Sequence, residues 1–286
     1  MHEILRPVAS ACGIKSKGKQ SRFMEQMYTA VYISFMGPLG LYCMKRSPVW
    51  YFNTRGMYEA YPHKVQSGEL KFYYLVQAAF WTQQAIVMLL GMEKRRKDFK
   101  ELVAHHIVTI ALIFLSYRFH FTYMGIAIYI THDISDWFLA LSKSLNYLDS
   151  PLQAYFFALC VISWIYLRNY INLRILYSIL TDYRTIGPYG IVWETEQYKG
   201  PLSTVITFTL LALLQLLNIF WLYLLLRIAY RFVVQGHAKD DRSEDEESEV
   251  DTAKLDSDAA DKAEALPLDG NSARALPTKR RKAKKT

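Results

Sequence analysis

Apolar residues in this chain of 286 residues arrive in long blocks separated by short polar and charged connections. Six blocks approach the roughly 20 residues that an α-helix needs to cross a bilayer. Their predicted bounds are 24–44, 70–92, 102–117, 122–143, 152–173 and 202–230. The last is the clearest, because residues 205–226 contain no charge. The pattern predicts an all-α polytopic membrane protein with six transmembrane helices.

Polar positions inside the blocks refine this prediction. Gly37-Pro38-Leu39-Gly40 interrupts the first block, and we expect a kink there. The second block carries Gln77, Gln83 and Gln84, whose amides need partners that lipid cannot supply, so this helix is expected to face a polar interior. The third and fourth blocks contain enough polar and charged residues that a strict hydropathy cutoff is expected to miss them.

The composition divides the chain into three parts. A cytosolic N-terminal segment is predicted at 1–23, the membrane domain at 24–234 and a disordered, charged cytosolic tail at 235–286. The tail is rich in Asp, Glu, Ser, Ala and Lys and has few aromatic residues, which is typical of disorder. Ser243 and Ser248 precede acidic residues, the pattern that acidophilic kinases accept, so both are predicted phosphorylation sites.

The positive charge indicates the topology. The densest short-loop cluster is predicted to be cytosolic, because cytosolic loops carry an excess of basic residues; it comprises Lys94, Arg95, Arg96, Lys97 and Lys100. Six spans then place both termini in the cytosol. Lys282 and Lys284 match a dilysine retrieval signal, which predicts a multi-pass protein of the endoplasmic reticulum membrane. Since the basic residues border lipid-length helices, no nucleic-acid partner is expected.

Five ionisable residues inside two apolar blocks are the candidate catalytic residues. His105 and His106 lie in the third block, and His132, Asp133 and Asp136 lie in the fourth. Charged groups inside membrane helices are costly and usually functional. At about 1.5 Å per residue, the two adjacent histidines lie about 8–9 Å beyond Lys100. The next helix runs the other way, and its three residues lie about 10–16 Å from Lys143, so both groups share the cytosolic half.

This residue set is compatible with more than one chemistry. A histidine near carboxylates can act as a nucleophile or as a general base. The same residue types could hold a metal, but HExxH and paired CxxC motifs are absent, so no metal is predicted. Hydrogen bonding between helices without catalysis is the third reading. Adjacent helical residues point about 100° apart, so His105 and His106 cannot face one point in the same way.

The run KRRKDFxxxxxHHIVTI, followed by SY and HDxSDxxLxxxKxxNY, resembles the Lag1 motif of ceramide synthases of the TLC-domain (TRAM, Lag1, CLN8) family. The resemblance covers most of 45–232. Many fungal and animal relatives have a further membrane helix before the barrel, whereas little precedes Met24 here. The homeobox-like insert of many animal members is absent, which favours a fungal source.

The resemblance implies a six-helix membrane barrel that transfers a fatty acyl group from acyl-CoA to the amine of a sphingoid base. Acyl-CoA would be a co-substrate, and no cofactor is expected. The five candidates would form the site, with His105, or alternatively His106, as acyl acceptor or base and Asp133 or Asp136 orienting that histidine or the amine. The basic cluster could also attract the CoA phosphates.

Several points remain open from sequence. Besides membrane lipids, a small accessory subunit and a homodimer are possible partners. Acyl-chain preference would depend on cavity depth and on the connection around 182–201. A non-enzymatic TLC protein, acting in lipid sensing or translocation, is the alternative function, and the complete His and Asp set favours the enzyme.

Overall fold

The computed structural model describes residues 2–92 and 97–235, and these are helical almost throughout. We number the seven main helices α1 to α7: His2–Ala11, Lys17–Lys45, Gly68–Leu89, Phe99–Arg118, Thr122–Tyr147, Gln153–Leu180 and Pro201–Gln235. α6 contains a π-helical stretch, Trp164–Ile171. Short helical turns lie at Trp50–Phe52, Arg55–Met57 and Asp182–Thr185. Within the described residues, β pairing is limited to an isolated bridge between Val192 and Gln197.

The six helices α2 to α7 coincide with the six predicted blocks, with different ends. α2 begins at Lys17, seven residues before the predicted start, and continues through Pro38. The preceding residues form α1, so the predicted N-terminal segment is mainly helical in the structure. Ala9, Ile14 and Phe23 bury one another in a small apolar cluster, which explains why helical structure extends toward the N-terminus.

Three of the helices are long and apolar enough to cross a membrane: α4, α6 and residues Pro201–Val234 of α7. The expectation that a hydropathy criterion would miss the third block was wrong, because 102–117 contains histidines but no Asp, Glu, Lys or Arg. The fourth block, α5, falls below the criterion as expected. Its two aspartates lie in the middle of the helix.

The apolar side chains of these helices face largely outward. Only 22%, 33% and 28% of the most apolar window of α4, α6 and α7 is buried within the protein. Large apolar side chains are exposed along them, including Ile107, Phe114, Ile162, Leu216 and Tyr223. Exposed apolar surface on this scale requires a covering environment, and lipid supplies it.

The long helices pack in a closed order that encloses an interior. α2 contacts α3, α3 contacts α4, and α4 contacts α7; α7 contacts α6, α6 contacts α5, and α5 returns to α2. α4 and α5 also contact each other. Buried polar side chains point into this interior. Gln77 is fully buried as expected, whereas Gln83 is exposed.

Candidate active site

A cavity of about 220 Å³ is lined by α3, α4, α5, α7 and the connection between α6 and α7. One end is lined by His105 of α4 and His132 of α5, beside Trp81 of α3. The other end is lined by Ile191, Trp193 and Tyr198 of the connection. The wall between them is mainly apolar and includes Leu112, Ile113, Met124, Ile128, Ile206 and Leu210.

The two adjacent histidines have different surroundings. Both are buried, with 7% of each residue exposed, but only His105 lines the cavity. Its ring lies between Trp81, with centroids 6.0 Å apart, and Trp221, at 5.3 Å. Nε2 of His105 is 3.5 Å from the Thr109 hydroxyl, and Nδ1 has no hydrogen-bond partner among the described residues. His105 therefore presents a nitrogen that is not committed to another residue.

His132 is held at both ring nitrogens. Nδ1 lies 2.8 Å from the Ile128 carbonyl, one turn earlier on α5, and Nε2 lies 3.2 Å from the side-chain amide of Asn218 on α7. A carbonyl oxygen only accepts, so Nδ1 carries the proton and Nε2 accepts from Asn218. The arrangement fixes the tautomer and the orientation of the ring, and it leaves no nitrogen of His132 free.

Asp133 belongs to a buried network of three helices. It accepts hydrogen bonds from the hydroxyl of Tyr73, at 3.2 Å, and from the side-chain amide of Gln77, both on α3. Gln77 in turn accepts from the Tyr32 hydroxyl of α2, at 2.9 Å. Buried polar groups need such partners, and the network links α5 to α2 and α3.

Asp136 pairs with Arg168 of α6. The carboxylate lies 2.6 Å from the guanidinium, which also donates to the Ser135 hydroxyl at 2.5 Å and to the His132 carbonyl at 2.9 Å. The guanidinium carbon lies 3.9 Å from the centre of the Trp164 ring. The Arg168 side chain is only 3% exposed, so Asp136 supplies the countercharge that its burial requires.

The structure thus places the five predicted residues near one another but divides their contacts. His132, Asp133 and Asp136 point toward α7, α3 and α6, respectively. Among the described residues neither Asp133 nor Asp136 accepts a hydrogen bond from His105, so an orienting role for either carboxylate toward His105 or the amine stays a prediction. No cluster of three or more potential metal-ligating side chains is present among the described residues.

Residues that the sequence analysis did not select complete the surroundings: Tyr73, Arg168, Asn218 and Trp221. The indole nitrogen of Trp221 donates to the buried Asp98 at the start of α4, at 3.1 Å. A charge in an otherwise apolar block could have identified Arg168, since it needs a buried partner. Asn218 had a weaker signal, as one of two amides, with Gln215, in a charge-free block.

The basic cluster and the tail lie largely beyond what the structure describes. Lys94, Arg95 and Arg96 are outside the described residues, while Lys97 and Lys100 are exposed just before and within the first turn of α4. Ser243 and Ser248 are also outside the described residues.

The connection between α6 and α7 lines the opposite end of the cavity. Val192 and Gln197 exchange two backbone hydrogen bonds of 2.9 Å, and Gly190 donates to the Lys199 carbonyl at 2.7 Å. Lys199 is fully buried and donates to the carbonyl of Ile186. Burial lowers the pKa of Lys199 to about 8. These contacts fold the connection back on itself beside the cavity.

Residues 22–227 match the sequence model of a protein family, the TLC domain, which is named for the TRAM, LAG1 and CLN8 proteins. The chain belongs to the TLC-domain family. The part that matches the TLC domain includes all five predicted site residues and both ends of the cavity.

Relatives of this TLC-domain protein carry acyltransferase names. Sphingosine N-acyltransferase-like protein FUM17 of Gibberella moniliformis is 60% identical over 252 residues, 88% of this chain and 65% of that protein. Ceramide synthase LAG1 of Saccharomyces cerevisiae is 51% identical over 87% of this chain and 61% of its own length. Sphingosine N-acyltransferase lac1 of Schizosaccharomyces pombe is 48% identical over 89% of this chain and 66% of its own length. The chain thus spans less than two thirds of the relatives' length.

Proposed function

We propose that this TLC-domain protein is a ceramide synthase, which transfers a fatty acyl group from acyl-CoA to the amine of a sphingoid base. The observation that carries the proposal is His105, an uncommitted histidine at one end of an apolar cavity inside a TLC domain. The names of the relatives indicate the same substrate class.

We assign the acyl acceptor to His105. Its nitrogen attacks the thioester carbon, the carbon–sulfur bond breaks, and the CoA thiolate takes the proton of the other imidazole nitrogen. The amine of the sphingoid base then attacks the same carbon, the bond to His105 breaks, and one amine proton returns to the imidazole. His105 is supported over His106 because only His105 lines the cavity.

The cavity is the proposed site for the acyl chain. Along α4, the stretch from His105 to Phe119 is about 21 Å long. An extended chain advances about 1.2 Å per bond, so an acyl chain of roughly 17 bonds has a comparable length. The mainly apolar wall supplies the environment that such a chain requires.

We propose further that the protein crosses the endoplasmic reticulum membrane six times and has a disordered tail with a cytosolic C-terminus. The six long helices support the spans, and the basic residues 94–100 support a cytosolic position for the end with His105. At that position Lys97 and Lys100 lie at the same end of α4 as His105, where CoA phosphates would arrive. An accessory subunit and a homodimer remain proposals, as does phosphorylation of the tail.

The test is ceramide formation by the purified full chain with palmitoyl-CoA and sphinganine, measured by mass spectrometry. A parallel reaction in fungal membranes supplies an accessory subunit if one is needed. We expect ceramide, and we expect CoA release without sphinganine to be lost in His105→Ala and retained in His106→Ala.

Two results would contradict parts of this proposal. An absence of ceramide in both preparations would favour the non-enzymatic alternative for a TLC-domain protein. Ceramide formation without any CoA release before sphinganine is added would indicate that a histidine acts as general base.

A further inference from the structure

Asn218 lies on α7 one turn beyond the last residue of that helix that lines the cavity, Leu214. Leu210, Leu214 and Asn218 follow one another at four-residue intervals, and the first two line the cavity. Asn218 is fully buried, and its amide nitrogen is 3.2 Å from Nε2 of the cavity-lining His132. The residue therefore stands next to the end of the cavity that contains the two histidines.

The contacts of His132 determine which way the Asn218 amide points. Because Nδ1 of His132 donates to the Ile128 carbonyl, Nε2 presents a lone pair, and Asn218 must direct its NH2 group toward it. The opposite atom, Oδ1, is consequently an acceptor. It is buried and has no hydrogen-bond partner among the described residues.

A buried acceptor without a donor is unfavourable, and a ligand that supplies the donor gains that free energy on binding. Nδ1 of His105 is also buried without a partner in the described part of the chain. Trp221, less than one turn beyond Asn218, packs against the His105 ring at 5.3 Å between centroids. α7 therefore brings an unsatisfied acceptor to the same end of the cavity as the histidine assigned to the acyl group.

We propose that Oδ1 of Asn218 accepts a hydrogen bond from the amine of the sphingoid base, an inference that rests on the proposed function. The attacking amine must be neutral and must direct its lone pair at the acyl carbon. When the amine donates one N–H to a fixed acceptor, the nitrogen lone pair of the amine points away from that acceptor and is free for the acyl carbon. A neutral amide suits this role, because a carboxylate would favour the ammonium form, which has no lone pair.

The test compares Asn218→Leu with Asn172→Leu in the full-length protein. Asn172 is a matched control: it is 1% exposed, its amide donates to Gln215 of α7 at 2.9 Å, and its Oδ1 also lacks a partner among the described residues. Neither asparagine lines the cavity, but Asn218 bonds the cavity-lining His132, whereas Asn172 bonds Gln215, which is not among the lining residues. For Asn218→Leu we expect a roughly 10-fold rise in KM for sphinganine, the loss of about one hydrogen bond. Because Asn218 also holds His132, CoA release before sphinganine is added should fall too, but by less than transfer to sphinganine, and Asn172→Leu should change neither quantity by more than about twofold.

Asn218→Asp keeps the size of the side chain and tests the chemistry independently of folding. The new carboxylate would stabilise the ammonium form, so the activity profile should move to higher pH by about one unit or more. The other ionisable groups near this end are His105, His106, His132, Asp133 and the Arg168–Asp136 pair. The carboxylate would also face Nε2 of His132 and favour protonation of that ring, so the shift is assigned to the amine only if CoA release before sphinganine is added keeps its wild-type pH profile.

The outcomes separate this inference from the proposed function. If wild type forms no ceramide, the proposed function fails. If wild type forms ceramide but both Asn218 variants keep the wild-type KM for sphinganine and the wild-type pH profile, the role of Asn218 is overturned. Equal losses of CoA release and of transfer in Asn218→Leu, with an unshifted profile in Asn218→Asp, would assign Asn218 only to positioning His132.

Discussion

Replacing either member of the Arg168–Asp136 pair should destabilise the protein more than replacing both. The two side chains are 2.6 Å apart and differ in exposure, 3% for Arg168 against 21% for Asp136. Removal of one partner of a buried pair leaves an uncompensated charge and costs about 3–5 kcal/mol. Replacement of both by apolar residues removes that charge.

The difference in exposure predicts which single variant is worse. Asp136→Leu leaves the deeper charge and should cost about 4 kcal/mol, toward the middle of the range for buried pairs. Arg168→Met leaves a carboxylate with some access to water and should cost about 3 kcal/mol. The double variant still loses the bonds of Arg168 to Ser135 and to the His132 carbonyl, and should cost about 1–2 kcal/mol.

Thermal unfolding of the purified protein in detergent measures these differences. With about 2–4 °C per kcal/mol for a domain of this size, Asp136→Leu should lower Tm by about 8–16 °C and the double variant by about a quarter to a half of that. The exposed Lys64–Glu196 pair is the control: at 3.0 Å but with side chains 41% and 43% exposed, it should contribute less than about 1 kcal/mol.

Additive losses in the double variant, or a larger loss in Arg168→Met than in Asp136→Leu, would refute this reasoning. The double variant also separates catalysis from stability. If it remains folded, its rate of ceramide formation reports what Asp136 and Arg168 contribute to catalysis.

Three further predictions concern the cavity and the connection between α6 and α7. Gly125→Ala should cost about 1–3 kcal/mol and lower activity, because the new Cβ would lie 2.0 Å from the hydroxyl of the buried Tyr74; an unchanged Tm would contradict this. Tyr198→Ala should lengthen the cavity and raise the rate with longer acyl-CoAs relative to palmitoyl-CoA; an unchanged preference would separate Tyr198 from chain selection. Lys199 has a pKa of about 8, against 10.5 when exposed, so the unfolded chain binds more protons between these values. The Tm of wild type should therefore rise from pH 8 to 10 relative to Lys199→Met, and parallel curves would argue against a buried cation.

The amino-acid sequence determined the six long helices and the residues that carry the candidate chemistry. Runs of apolar residues specify a membrane-length helix locally, so the predicted blocks agree with α2 to α7 apart from their ends. The burial of His105, His106, His132 and Asp133 could be expected as well, because ionisable side chains in membrane-length helices avoid lipid and face the interior. The extension of α2 to Lys17 could not be expected from the sequence, because it depends on contacts with α1.

Tertiary structure alone decided the partners of these residues. His105 and His106 are adjacent, and the rotation of α4 about its axis determines that His105 rather than His106 lines the cavity. Asn218 and Arg168 come from helices 86 and 36 positions away from His132, and packing of α7 and α6 against α5 brings them into hydrogen-bond distance. A local apolar pattern fixes where a helix lies along the chain, whereas the contacts across the interior depend on how six helices rotate and pack together.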